Sequence, residues 1–315
     1  MAASIRSSEN VRRGYLYVAC AALLWAACGS ISKFLFNHNV TPYQLVQLRT
    51  TLSSLMLIAW FGLRRPSILR IAGRDVLYFV ILGAGALAAA QFTYFFAISR
   101  IHVAAAILLQ YLAPVLIVAY SAVFVRDRLS AATLTAMTGA IFGCYLVVGA
   151  YNLDLVAMNY IGILSGLASA VGLAWFSVQG EYGMRRYAPW TVLTYSMLAA
   201  AGAWNILYPP LRAFRGPFAP NEWALILLIV TCGTIAPFGL YFHGINLIRA
   251  TRASITATLE PITAGILAYL FLNEKMSLLQ LIGGALVVAA VIFLQLRHEH
   301  DDKAPALMRK KAAVY

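Results

Sequence analysis

The chain has 315 residues, 62% of them hydrophobic and only 11% charged, against about 25% charged in an ordinary soluble domain. Too little polar surface remains to coat a water-soluble globule, which points to an integral membrane protein. The formal charge of +13 lies mostly in short connections and tails, where it fits membrane topology, and no nucleic-acid partner is expected.

Crossing about 30 Å of hydrocarbon takes about 20 helical residues. Ten apolar runs of that scale tile the chain: 14–36, 43–63, 75–98, 103–124, 130–149, 159–182, 189–210, 222–245, 251–272 and 278–297. Barrel strands alternate apolar and polar residues, whereas ALVVAAVIFL (285–294) is apolar all round, so the spans read as helices. The first follows Arg12 and Arg13. It is longer than the apolar core of a secretion signal and other spans follow it, so it is expected to stay in the mature protein. Cys20, Cys28, Cys144 and Cys232 all lie in apolar segments without CxxC spacing, which argues against a disulfide framework or a metal site.

Residues 94–130 recur at an offset of 147 as residues 241–277. Tyr94 falls on Tyr241, Phe95 on Phe242, Pro114 on Pro261, Asp127 on Glu274 and Ser130 on Ser277. With the N-terminus inside, eighteen Lys and Arg fall on the cytoplasmic side; Lys33, Arg100, Arg212, Arg215 and Lys275 fall outside. That bias places both termini in the cytoplasm. Five spans per half is an odd number, so the halves enter the membrane from opposite sides. The fold expected is all-α integral membrane, with ten transmembrane helices as two inverted five-helix repeats. Residues 14–150 and 159–297 are the repeats, 151–158 an external linker, and 1–13 and 298–315 cytoplasmic tails in a multi-pass inner-membrane protein.

Several features together resemble the EamA family of the drug/metabolite transporter superfamily: LLW at 23–25, Lys33 on the first span, Arg49 on the second, and the repeated Pro, acidic residue and Ser. The segment LEPITAGILAYLFLNEKMSLLQLIGGALV (259–287) looks most like that family's last two helices. The resemblance implies a metabolite transporter, commonly an exporter, with a central cavity lined by spans 1, 3, 4, 6, 8 and 9. The first half departs by carrying Ala113 where the second has Glu260, and Asp127 stands where Glu is more usual.

Glu260 is the one acidic residue near the middle of a span, and an ionisable group there is costly enough to be a functional candidate. Pro261 follows it and frees a carbonyl one turn back. Glu260 is the candidate for proton coupling or substrate binding; the alternative is a neutral Glu bonded to a neighbouring helix. Lys33 and Arg49 either snorkel to the headgroups or face a vestibule, where they could hold a substrate carboxylate. Gln91, Tyr94, Gln110, Tyr111, Trp175, Gln179, Tyr241 and His243 supply donors and aromatic faces for a cavity or for packing. Pro114, Pro237 and Pro261 mark helix breaks, or static kinks. Gly139, Gly143, Gly162 and Gly166 allow close helix contact. Ser277 with Gln280 reads as a capping box, with Ser130 in the mirrored place. The HEHDD segment (298–302) reads as a solvated tail rather than a metal site.

No Walker-type GxxxxGK[ST] motif appears, so uphill transport would draw on a gradient, with proton coupling the candidate. No hydrolase or zinc-protease signature appears either, and neither catalytic residues nor a cofactor or metal is expected. The expectation is a secondary transporter of the exporter class, for small organic metabolites such as amino acids. A passive uniporter or channel-like pore, and a non-transport scaffold or sensor, stand as alternatives, with substrate, direction, coupling ion and oligomeric state open.

Overall fold

The computed structural model describes residues 2–38, 40–101, 103–127, 129–152, 159–272, 277–296 and 303–312, without the side chains of 2–8, 30, 33, 37, 103–104, 268, 271–272 and 310–312. Glu274, Lys275, most of the 151–158 linker, the HEHDD segment and the Lys33 side chain lie outside the described residues.

All regular structure among the described residues is helical: α1 Ala2–Asn37, α2 Pro42–Arg64, α3 Val76–Val80, α4 Ala89–Arg100, α5 Val103–Gln110, α6 Ala113–Val123, α7 Ala131–Val147, α8 Tyr160–Met184, α9 Pro189–Leu207, α10 Pro220–Val230, α11 Ala236–Ala257, α12 Leu259–Leu272, α13 Leu278–Leu296 and α14 Pro305–Ala312. Seven stretches among the described residues are long and apolar enough to cross a membrane. The other three predicted spans fall short of that standard. At 17 residues α7 is short; the run 251–272 is shared between the end of α11 and the 14 residues of α12; α9 is long enough but polar, with Thr191, Thr194 and Ser196 buried along it.

Several expected boundaries need correction. The run 103–124 is not one helix: it breaks at Tyr111–Leu112 and restarts at Ala113 with Pro114 in its first turn. The runs 222–245 and 251–272 part between 246 and 250: α11 is two helices joined across a kink at Arg249 (φ 67°, ψ 164°), the second ending at Ala257. Thr258 then forms a turn before α12. The π-helical segments Ile81–Ala88 and Thr231–Ile235 interrupt the runs 75–98 and 222–245. Such bulges shift the hydrogen-bond register and gather at functional positions.

Four close helix pairs build the bundle: α1 with α11, α4 with α8, α2 with α9, and α7 with α13. Small residues let them approach. A Cβ on Gly283 would sit 2.7 Å from the Gly143 carbonyl oxygen and 2.6 Å from Leu146 Cβ, so the α7–α13 crossing excludes any side chain there. Gly162 meets Ile101 as Gly14 meets Ile248. Both expected caps form. Thr133 N donates to Ser130 Oγ at 3.1 Å; Gln280 N donates to Ser277 Oγ at 3.3 Å and Ser277 N to Gln280 Oε1 at 2.8 Å.

Candidate functional site

The interrupted helices converge on an internal cavity of about 130 Å³, room for a small metabolite rather than a drug-sized ligand, whose pockets run about 300–1,000 Å³. Trp25 of α1, Arg49 of α2, Gln91 and Tyr94 of α4, Gln110, Tyr111 and Pro114 at the α5/α6 break, Phe176 of α8, Phe238 and Tyr241 of α11, and Glu260 of α12 all line it. Ala113, the position that corresponds to Glu260 by the 147-residue offset, lines it too. The mirrored positions therefore present one carboxylate and one methyl to the same space.

Two prolines create the polar anchors of this cavity. Proline has no N–H, so the carbonyl four residues earlier loses its helical donor. For Pro261 that carbonyl is Ala257 O, and Tyr111 Oη lies 3.2 Å from it and 2.7 Å from Glu260 Oε2. For Pro237 it is Gly233 O, which accepts from Arg49 Nη2 at 3.2 Å. Arg49 Nε donates to Thr234 Oγ1 at 3.1 Å, and the guanidinium stands 5.7 Å from the centre of the Phe95 ring. Arg49 is 8% exposed, so it does not snorkel. Among the described residues no carboxylate comes within 4 Å of it.

Gln91 is 7% exposed, and among the described residues neither its amide nitrogen nor its amide oxygen has a hydrogen-bond partner. A buried unsatisfied polar group costs about 1–3 kcal/mol, which makes this amide on the cavity wall a candidate ligand contact.

Not every sequence candidate comes to this space. Trp175 is 42% exposed and meets Tyr120 edge-on. Gln179 offers its backbone carbonyl to Tyr78, and its side chain does not line the cavity. His243 lies between Tyr17 and Trp190, its Nδ1 2.7 Å from the Gly239 carbonyl oxygen. It is a satisfied packing residue. Pro237 and Pro261 act through the carbonyls they free rather than as walls.

A second cluster escaped the sequence. Arg249, in a backbone region costly for any residue but glycine, places Nε 2.9 Å from Glu181 Oε1 and Nη2 2.7 Å from Asp127 Oδ2. Glu181 Oε2 also accepts from Ala250 N at 2.8 Å. Lys303 pairs with Asp127. Arg309 of α14 donates to Met184 O, to Tyr187 O at 2.7 Å and to Asn246 Oδ1 at 2.9 Å. Burial pushes the Asp127 carboxyl up, but Lys303 and Arg249 outweigh it and hold the group below its usual range. The only sequence signal was Asp127, which belongs to the repeated pattern.

The sequence pattern of the EamA-like transporter family matches residues 12–149 and again residues 160–296. The chain belongs to this family. It is 27% identical over 301 residues to the uncharacterized inner membrane transporter YicL of Salmonella typhimurium, covering 94% of this chain and 99% of that one. It is 24% identical over 297 residues to the threonine/homoserine exporter RhtA of Escherichia coli (strain K12), covering 93% and 94%. A solved crystal structure shares the fold at a TM-score of 0.74 and 24% identity, covering 90% of this chain and 96% of the other. As an EamA-family member the chain is a multi-pass membrane transporter, not an enzyme by its family or its named relatives.

Proposed function

We propose that this EamA-family protein is a secondary transporter that exports small zwitterionic metabolites, amino acids first, by alternating access between two inverted five-helix halves with both termini in the cytoplasm. The observation that carries the reading is the cavity's charge layout. Among the described residues, Arg49 supplies a cation without a carboxylate partner, Glu260 the one carboxylate on the cavity wall, and Gln91 an unsatisfied amide. A ligand with a carboxylate, an ammonium and a short polar group would meet all three, because buried charges favour ligands that neutralise them. The name of RhtA supports the same chemical class.

The inverted repeat is supported by mirrored devices. The π segments end at Ala88 and Ile235, the helix breaks fall at Tyr111 and Thr258, and Gly162–Ile101 matches Gly14–Ile248. Each pair is related by an offset of about 147 residues, and the double family match has the same spacing. The Arg249 cluster joins Asp127 of the first half to Glu181 of the second and serves as the cytoplasmic seal of the cycle.

Counterflow in proteoliposomes tests the reading, with threonine and homoserine as first probes. The expected result is exchange of the zwitterions, loss of transport for the decarboxylated amine and for the deaminated acid, and about tenfold weaker half-saturation in Gln91→Ala. Equal transport of all three compounds would exclude zwitterion recognition. A flux far above a carrier's turnover would favour a channel.

A further inference from the structure

A second cavity opens on the outside of the bundle, with a volume of about 700 Å³. Its walls are Met56, Leu57, Trp60 and Phe61 of α2, Trp190 at the start of α9, and Thr231, Ile235 and Ala236 at the π segment. Arg64 and Arg65 close one end. Its floor is apolar and its mouth basic. Arg64 stands 5.1 Å from the centre of the exposed Trp60 ring, and among the described residues neither arginine has a carboxylate within 4 Å.

The dimensions fit one occupant. From Arg64 back to Met56 is eight helical residues, about 12 Å at 1.5 Å per residue, the length of the upper part of an acyl chain. Arg64 and Arg65 end α2, which puts the basic mouth at headgroup level and the Met56–Ile235 floor in hydrocarbon. A membrane-facing crevice with this polarity matches a lipid that carries negative charge in its headgroup. A soluble metabolite would leave the apolar floor unfilled, and a neutral lipid would leave both guanidiniums without a counter-charge.

We propose that the crevice between α2, α9 and the Thr231–Ile235 π segment is a binding site for one anionic phospholipid, its phosphate held by Arg64 and Arg65 and one acyl chain laid along Leu57, Phe61 and Ile235. On the proposed topology this lipid comes from the cytoplasmic leaflet. The site has a route to the central cavity. Thr231 and Ile235 line the crevice, while the intervening Gly233 and Thr234 hold Arg49, so one short helix segment is a wall of both.

Native mass spectrometry of the detergent-purified protein with equimolar phosphatidylglycerol and phosphatidylcholine tests the site. Each surface arginine favours an anionic headgroup about fivefold, so the pair predicts about a 25-fold preference for the first retained phosphatidylglycerol. In R64Q/R65Q that preference falls to near unity, while Arg100→Gln, remote from the crevice, leaves it intact. A photoactivatable phosphatidylglycerol crosslinks wild-type protein within residues 56–65 and at Trp190, which needs no variant to fold. Equal retention of the two lipids by wild type, an unchanged preference in R64Q/R65Q, or crosslinks spread evenly over the lipid-facing surface would each overturn the proposal.

Discussion

Tyr111 Oη lies 2.7 Å from Glu260 Oε2 and 3.2 Å from the Ala257 carbonyl oxygen, so the broken helix of one half is tied to the broken helix of the other. A phenolic hydroxyl has one proton to donate. With Glu260 ionised the hydroxyl donates to the carboxylate. With Glu260 protonated it can accept from the carboxyl and turn its own proton to Ala257 O. Either pattern keeps the contact between the two broken helices, so the contact itself does not depend on the protonation state of Glu260.

Glu260→Gln keeps a group of the same size but removes the titration. Counterflow should persist only at a raised half-saturation, because the ligand's ammonium loses its carboxylate, and the pH dependence of net transport seen in wild type should vanish. Tyr111→Phe removes the shared hydroxyl and should cut net transport about tenfold or more while leaving expression intact. Transport measured from pH 5 to 9 in proteoliposomes decides it. A pH profile in Glu260→Gln identical to wild type would remove Glu260 from coupling.

Arg49 depends on the acceptors provided by the π segment. Thr234→Val deletes one of them and leaves a buried guanidinium donor unmatched, at a cost of about 1–3 kcal/mol. A lower apparent Tm is expected, together with weaker half-saturation for carboxylate-bearing substrates and none for their amides. Arg49→Lys replaces the rigid planar fork that holds Gly233 O and Thr234 Oγ1 with a compact ammonium on a flexible stem, so the same substrates should lose affinity there as well. A thermal unfolding series alongside counterflow separates the two effects.

The α7–α13 crossing makes a sharper structural prediction. Gly283→Ala would force its new methyl against Gly143 O and Leu146, and overpacking of this kind costs about 1–3 kcal/mol. Gly202, whose added Cβ meets nothing within 4 Å, is the control: Gly202→Ala should be neutral or slightly stabilising in its helix. Thermal unfolding of both variants in one detergent gives the comparison.

The apolar runs of the sequence foretold helices because the composition allowed little else, and Pro114 and Pro261 foretold two breaks because their chemistry is local. Ser130 and Ser277 were legible as caps for the same reason. The direction in which Arg49 points was not legible. Its outcome depends on Pro237, 188 positions away, baring Gly233 O. For Trp175 and Gln179 the choice between cavity and packing was not legible, because α8 is apolar around most of its circumference and periodicity marks no inner face. The Arg249 cluster was hidden because its partners come from α8, the α6–α7 connection and the C-terminal segment, and counting charges for topology assigns a side without assigning a partner.

That cluster carries a pH prediction with a definite sign. Asp127 is held below its usual carboxylate range by Lys303 and Arg249, with Glu181 the neighbouring acid on Arg249. A depressed carboxyl contributes stability that is complete above its unfolded value of about 3.9 and is lost as the pH falls through the lower native value. The hold of Asp127 on Lys303, and with it the seating of α14 against α8 and α11, should therefore be constant from pH 8 down to about pH 4 and weaken only below. Asp127→Asn should loosen the segment already at pH 7. The anisotropy of a fluorophore attached at the C-terminus, followed from pH 8 to pH 3, reports the seating. A wild-type transition centred near neutral pH would show that Asp127 does not hold the tail.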